Sequence, residues 1–146
     1  MLVAALVMWA LDRFVPLAHW IAPPWNRLGA VFGLAGFAID VAAVARFLRR
    51  KTTLNPRVPG KASSLVTDGV FRITRNPMYL GLVLLLIGWA LWLGSVAPWL
   101  VVPLFVAGVT VAQIVPEERA LAERFGESYV AYRRRVARWI GRSSDD

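Results

Sequence analysis

This chain contains no cysteine and a single histidine, His19. Disulfides, thiolate metal sites and a cysteine nucleophile are therefore excluded. A zinc site built on His and Cys within one chain is excluded as well, and a Ser-His-Asp triad has very little to draw on. Acidic residues are scarce, 9 against 17 lysines and arginines, for a formal net charge of +8. There is no internal repeat and no low-complexity tract. The first eleven residues are apolar but have no basic leader and no small-residue cleavage site. They read as a retained membrane segment and not as a signal peptide.

What the chain has in abundance is apolar sequence. Hydrophobic residues make up 58% of its 146 positions, and the mean hydropathy is +0.54. Soluble domains of this size carry about 45–50%. The excess points to a small integral membrane protein of one domain, residues 1–146. Its seven tryptophans suit membrane–water interfaces. Four apolar segments stand out, at residues 2–20, 28–48, 78–93 and 98–115. Each is near the roughly 20 residues a spanning helix needs. The expected fold is all-α, with about four transmembrane helices and an amphipathic C-terminal segment. Residues 1–64 supply the N-terminal helices and a basic loop, residues 65–140 a helical hairpin and the C-terminal segment, and residues 141–146 a tail. Gly94 to Pro98 reads as the tight turn of the hairpin. Asp12 and Arg13 interrupt the first segment and Asp40 the second, so each is expected to form interhelical ion pairs or to face a cavity.

Charge placement sets an expected orientation. Arg46, Arg49, Arg50, Lys51, Arg57, Lys61, Arg72 and Arg75 follow the second segment, and Arg119, Arg124, Arg133, Arg134, Arg135, Arg138 and Arg142 follow the fourth. The turn at 94–98 has no charge. The positive-inside rule then places loop, tail and both termini in the cytoplasm, with a bacterial inner membrane as the expected setting. These basic residues lie within reach of the membrane surface, where they attract anionic lipid. Nucleic-acid binding is the competing reading of so basic a chain.

Two polar clusters flank the hairpin. In the first, Asn76 is a preferred N-cap and Pro77 a preferred first helical residue. The helix start thus offers free N–H groups to an anion, with Arg75 beside it as a charged donor. Tyr79 shares that face one turn on. The plainer alternative is that Asn76 only caps and Arg75 only reaches the headgroups. In the second cluster, Glu117 and Glu118 complement the dipole at the start of a new helix. Leu121, Phe125, Tyr129, Tyr132 and Val136 follow at helical spacing, read as an amphipathic face lying on the membrane surface. Gly126 is expected to break it. The plainer alternative here is that the two acids only pair with arginines. Taken together, the clusters form a receptor for a zwitterion, with Arg and helix N–H groups for a carboxylate and carboxylates for an ammonium.

The run Arg75-Asn76-Pro77-Met78-Tyr79-Leu80-Gly81, the hairpin, and then Glu117-Glu118-Arg119-Ala120-Leu121-Ala122-Glu123-Arg124-Phe125-Gly126-Glu127-Ser128-Tyr129 and on to Val136 resemble the isoprenylcysteine carboxyl methyltransferase family. Its superfamily includes phospholipid N-methyltransferases and some membrane thiol methyltransferases. The resemblance covers residues 65–140. The first half is similar only in style, including Thr52, Thr53 and Pro56. It implies an enzyme that uses S-adenosylmethionine to methylate a lipophilic or membrane-embedded carboxylate, thiol or amine, without metal or nucleic acid. It implies a cofactor site at the cytoplasmic end of the hairpin, formed by Arg75, Asn76, Tyr79, Gly81, Glu117 and Glu118, with Tyr129, Tyr132 and Arg135 in a lid. Arg75 and Glu118 are the expected catalytic pair. Asn76 stands where the family usually has histidine, which favours binding over proton transfer for this residue. A non-catalytic lipid- or partner-binding membrane protein, or a relative of the membrane sterol reductases, are the alternative readings.

Overall fold

The computed structural model describes residues 1–15, 17–49 and 64–140. Thr52, Thr53 and Pro56 lie outside them. The described residues are helical, without a β-strand; a single antiparallel bridge joins His19 and Ser95. The helices are α1 (Leu2–Phe14), α2 (Leu28–Arg49), α3 (Pro77–Leu93), α4 (Val101–Val109), α5 (Val115–Phe125) and α6 (Glu127–Arg135). They contribute to two compact units, Met1–Ala38 with Gly81–Gly108, and Ile39–Leu80 with Val109–Asp146.

Two helical stretches have the length and hydropathy to cross a bilayer, Trp25–Arg49 and Ala97–Phe125, with 25 and 29 residues. Only 17% and 11% of their most apolar windows are buried inside the protein. Helices this apolar and this uncovered need an apolar surround, so the chain is an integral membrane protein. α1 departs from expectation. It has 13 residues, about 20 Å at 1.5 Å per residue, short of a roughly 30 Å hydrocarbon core. α3, with 17 residues, is also shorter than the two long stretches.

In the first unit, α1 and the segment after it hold the hairpin turn. Gly94, at φ +79°, takes the left-handed conformation that glycine adopts without steric penalty. Its carbonyl accepts the N–H groups of Trp20 and Ile21 at 3.0 and 3.2 Å. Ser95 Oγ donates to Asp12 at 2.5 Å, and His19 Nε2 lies 3.6 Å from the same carboxylate. Asp12 is thus engaged by the hairpin turn and by His19. Trp89 Nε1 donates to the carbonyl of Ala5 at 3.2 Å, tying α1 to α3. α2 and α3 approach through glycines. A Cβ on Gly88 would stand 2.5 Å from the carbonyl oxygen of Gly29, and one on Gly36 would stand 2.6 Å from that of Gly81. Small residues let membrane helices pack backbone to backbone.

The second unit corrects two expectations. Glu117 and Glu118 do not open a new helix; one continuous helix runs from Ala97 to Phe125. Pro116 lacks an N–H and crowds the carbonyl four residues back, at Ala112. The chain answers with a wide π turn at Thr110–Ile114 and then resumes as α5. Nor is the amphipathic face of residues 121–136 laid out on a membrane surface. Tyr129, Tyr132 and Val136 are buried with Ala43, Val66 and Phe71, and Leu121 and Phe125 pack against them. The face is consumed by the unit's own core. Gly126 does break the helix: α5 ends at Phe125, α6 begins at Glu127, and Gly126 has φ +52°.

Candidate functional site

The site is assembled where the chain enters α3. Asn76 occupies the N-cap position, since its carbonyl accepts the Leu80 N–H at 3.0 Å. Its side chain, however, serves another partner. Asn76 Nδ2 donates to the Arg138 carbonyl at 3.0 Å, and Thr74 Oγ1 donates to that same carbonyl at 3.0 Å. The Thr74 hydroxyl also accepts the Asn76 N–H at 3.0 Å, and the Arg75 N–H reaches the Ala137 carbonyl at 3.0 Å. Residues 74–76 and 137–138 are thereby held side by side.

That pairing aims two guanidinium groups at one carboxylate. Arg138 Nη2 lies 2.8 Å from Glu118 Oε2, and Arg138 Nε donates to both oxygens at 3.2 and 3.3 Å. Arg75 Nη2 lies 3.3 Å from Glu118 Oε1. The Arg75 and Glu118 side chains are only 8% and 11% exposed. Arg75 Nε and Nη1 are buried and without a hydrogen-bond partner. A buried donor left unmade costs about 1–3 kcal/mol. A buried, unpartnered donor on a cation is suited to receive a carboxylate.

Glu117, next to Glu118, is differently placed. The Tyr79 hydroxyl donates to it across 3.4 Å, longer than the usual 2.5–3.0 Å of an O–H···O bond. Its carboxylate is thus only loosely held. Tyr129 is 2% exposed and makes an edge contact with Tyr132, ring centroids 6.3 Å apart. Burial first, and then the neighbouring Glu118 charge, push the Tyr129 hydroxyl up to about 12; Arg75 and Arg133 pull the other way. It is a neutral phenol at physiological pH. The Tyr132 hydroxyl donates to the Phe71 carbonyl at 2.7 Å, and burial raises it well above the ordinary tyrosine value.

The structure therefore brings together Arg75, Asn76, Glu118 and Tyr129, and joins Tyr79 to Glu117. Tyr132 is a core residue whose hydroxyl is committed to backbone. Arg135 is exposed and donates to the Ala131 carbonyl within its own helix at 3.2 Å; it is not gathered into the cluster. Gly81 admits α2, as its contact with Gly36 shows. Sequence reasoning missed Arg138 and Thr74. Nothing in the sequence distinguishes Arg138 from its many basic neighbours, because the backbone pairing that selects it is tertiary. Among the described residues no group of three or more His, Cys, Asp or Glu side chains is placed to hold a metal ion.

Residues 25–128 match the phospholipid methyltransferase family. The chain belongs to that family. Membership indicates a membrane methyltransferase. An uncharacterized protein of Haemophilus influenzae is 43% identical over 63 residues, which span 43% of this chain and all of that protein. The protein-S-isoprenylcysteine O-methyltransferase of Schizosaccharomyces pombe is 35% identical over 72 residues, covering 49% of this chain and 30% of the yeast protein. No solved structure matches the chain. The family match contains Arg75, Asn76, Glu117 and Glu118 and stops short of Tyr129 and Arg138.

Proposed function

We propose that this protein transfers a methyl group from S-adenosylmethionine to a lipophilic acceptor reached from the bilayer. The observation that carries this reading is the buried Arg75 guanidinium, with two unpartnered donors, beside adjacent carboxylates. That donor set fits the zwitterionic end of an amino acid. Arg75 Nη1 would donate to the carboxylate of the methionine part. Glu118 has both oxygens taken by Arg75 and Arg138, so its role is to hold Arg75 in place. Glu117 is then the carboxylate for the ammonium, with Tyr79 orienting it. Asn76 and Thr74 fix the backbone that carries Arg138. When bound, S-adenosylmethionine supplies an electrophilic methyl on sulfonium sulfur. The protein's part is alignment and exclusion of water. Doubly paired Glu118 is a poor proton acceptor, so this geometry favours acceptors that arrive with a free lone pair. We further propose four membrane segments with both termini cytoplasmic, on the positive-inside argument.

Calorimetry on detergent-purified protein tests the assignment. S-adenosylmethionine and its demethylated product should both bind, and a nicotinamide cofactor should not. Glu117→Gln should weaken both ligands roughly 10–100-fold, the equivalent of about 1.5–3 kcal/mol for a hydrogen bond to a charged group, with little change in melting temperature. Unchanged affinity in this variant would remove Glu117 from the site. Binding of nicotinamide in place of the methyl donor would overturn the methyltransferase reading.

A further inference from the structure

The helical face of residues 121–136 is buried in the core of the second unit, and a different surface of that unit is left open. The Tyr132 hydroxyl donates to the Phe71 carbonyl at 2.7 Å, and the Arg75 N–H to the Ala137 carbonyl at 3.0 Å. Thr74 Oγ1 donates to the Arg138 carbonyl at 3.0 Å. These bonds run residues 71–76 alongside residues 132–140. In the paired stretches, Ile73 and Ile140 are 62% and 66% exposed. Arg72, next to Ile73, and Arg134 and Arg135, at the end of α6, are exposed as well. Neither stretch contains an acidic residue.

That combination suits one environment. In water, two large aliphatic side chains held open forgo the gain from burial. In hydrocarbon, the arginines would be costly. At the level of the headgroups both are satisfied: the isoleucines reach the acyl boundary and the guanidinium groups meet phosphate. Charge selects the kind of lipid. Arginines with no acid among them favour headgroups of net negative charge over zwitterionic ones.

We propose that Arg72, Ile73, Arg135 and Ile140 form a docking surface for anionic phospholipid, and that docking holds residues 137–138 against residues 74–76. A lipid surface that fixes both stretches at once opposes their separation. Arg138 reaches Glu118 from this same strap, with Nη2 2.8 Å from Oε2. Lipid composition therefore tunes the donor site; this consequence alone rests on the methyl-transfer reading.

The test places the full chain in nanodiscs of phosphatidylcholine alone, or of phosphatidylcholine and phosphatidylglycerol in equal amounts. The lack of native cysteine lets a spin label be carried by Ile140→Cys. In anionic discs the label should be open to oxygen, which concentrates in lipid, and shielded from a water-soluble nickel chelate. In neutral discs, or with Arg72→Gln and Arg135→Gln combined, access of the chelate should rise. On unsubstituted protein, hydrogen exchange at the Arg75 amide should be roughly five-fold slower in anionic discs, the effect of one arginine near an anionic surface. This second measurement needs no variant to fold. Equal chelate access in both discs would overturn the docking surface. So would a label shielded from both reagents, as a protein partner or a second copy would leave it. Equal exchange at Arg75 would overturn the hold on the strap. Donor affinity is measured in the same discs and should rise with the protection of Arg75. A chain that shows both lipid effects and binds no donor removes the methyl-transfer reading and leaves the docking surface standing.

Discussion

A carboxylate held by two arginines, as Glu118 is, cannot be altered without consequence for the charges around it. Glu118→Ala would leave Arg75 buried without an anion, a loss of about 3–5 kcal/mol. The paired replacement Arg75→Met with Glu118→Leu should recover most of that stability, because an apolar pair of similar volume is often neutral or better. It should also abolish donor binding. Denaturation and calorimetry on the three proteins separate the structural part of the pair from its binding part. Tyr129 gives a pH signature. Its folded-state value is about 12, above the ordinary value near 10. The folded state therefore keeps a proton that the unfolded state releases. Its contribution to stability is complete below pH 10 and is lost as pH rises from 10 to about 12. Thermal melts across that range should fall, and Tyr129→Phe should flatten the fall.

Helix packing and helix continuity carry the next tests. α2 and α3 meet so closely at Gly29 and Gly88 that a Cβ on Gly88 would reach the Gly29 carbonyl at 2.5 Å and the Gly33 nitrogen at 2.9 Å. Backbone cannot yield as a flexible side-chain end can. Gly88→Val should therefore lower stability by several kcal/mol, beyond the 1–3 kcal/mol usual for overpacking, measured as a drop in the detergent melting temperature. The π turn at Thr110–Ile114 sets the rotation at which Glu117 and Glu118 leave the helix. A π bulge is in effect one extra residue in an α-helix. Pro116→Ala removes the cause of the wide turn and should let regular α-helix run through with no residue lost, rotating both acids by about 100°, away from Tyr79 and Arg75. Donor affinity should fall at least ten-fold while helicity by circular dichroism stays constant. Unchanged affinity would mean that the π turn has no part in placing the acids.

For the molecule as a whole, the testable property is its relation to the membrane. Two helical stretches are long and apolar enough to cross it, and α1 and α3 are shorter. The lack of cysteine makes topology direct to measure. Single cysteines at Val96, in the hairpin turn, and at Ser144, in the C-terminal tail, should label from opposite sides of inverted vesicles if the basic segments lie in the cytoplasm. Labelling from one side would overturn that orientation and with it the proposed side of donor entry.

The sequence alone determined the apolar class, the start of α3 at Pro77, the break at Gly126 and the helical face of Leu121, Phe125, Tyr129, Tyr132 and Val136. Each follows from local chemistry: a ring that fixes φ, a residue without a Cβ, a period of 3.6. It also pointed to Arg75 and Glu118 through paired motifs, and the structure brings these two side chains together. Tertiary structure decided what those motifs do for one another. It turned Asn76 from a cap into a ligand for the Arg138 carbonyl, and it recruited Arg138 to Glu118. It also left Glu117 as the looser carboxylate. It carried the helix on through Pro116, because a wider turn absorbs what a regular one cannot. It sent Arg46 to Asp68 and left Asp40 unpartnered. Ion pairing depends on which helices meet and at what rotation, and no single segment encodes that.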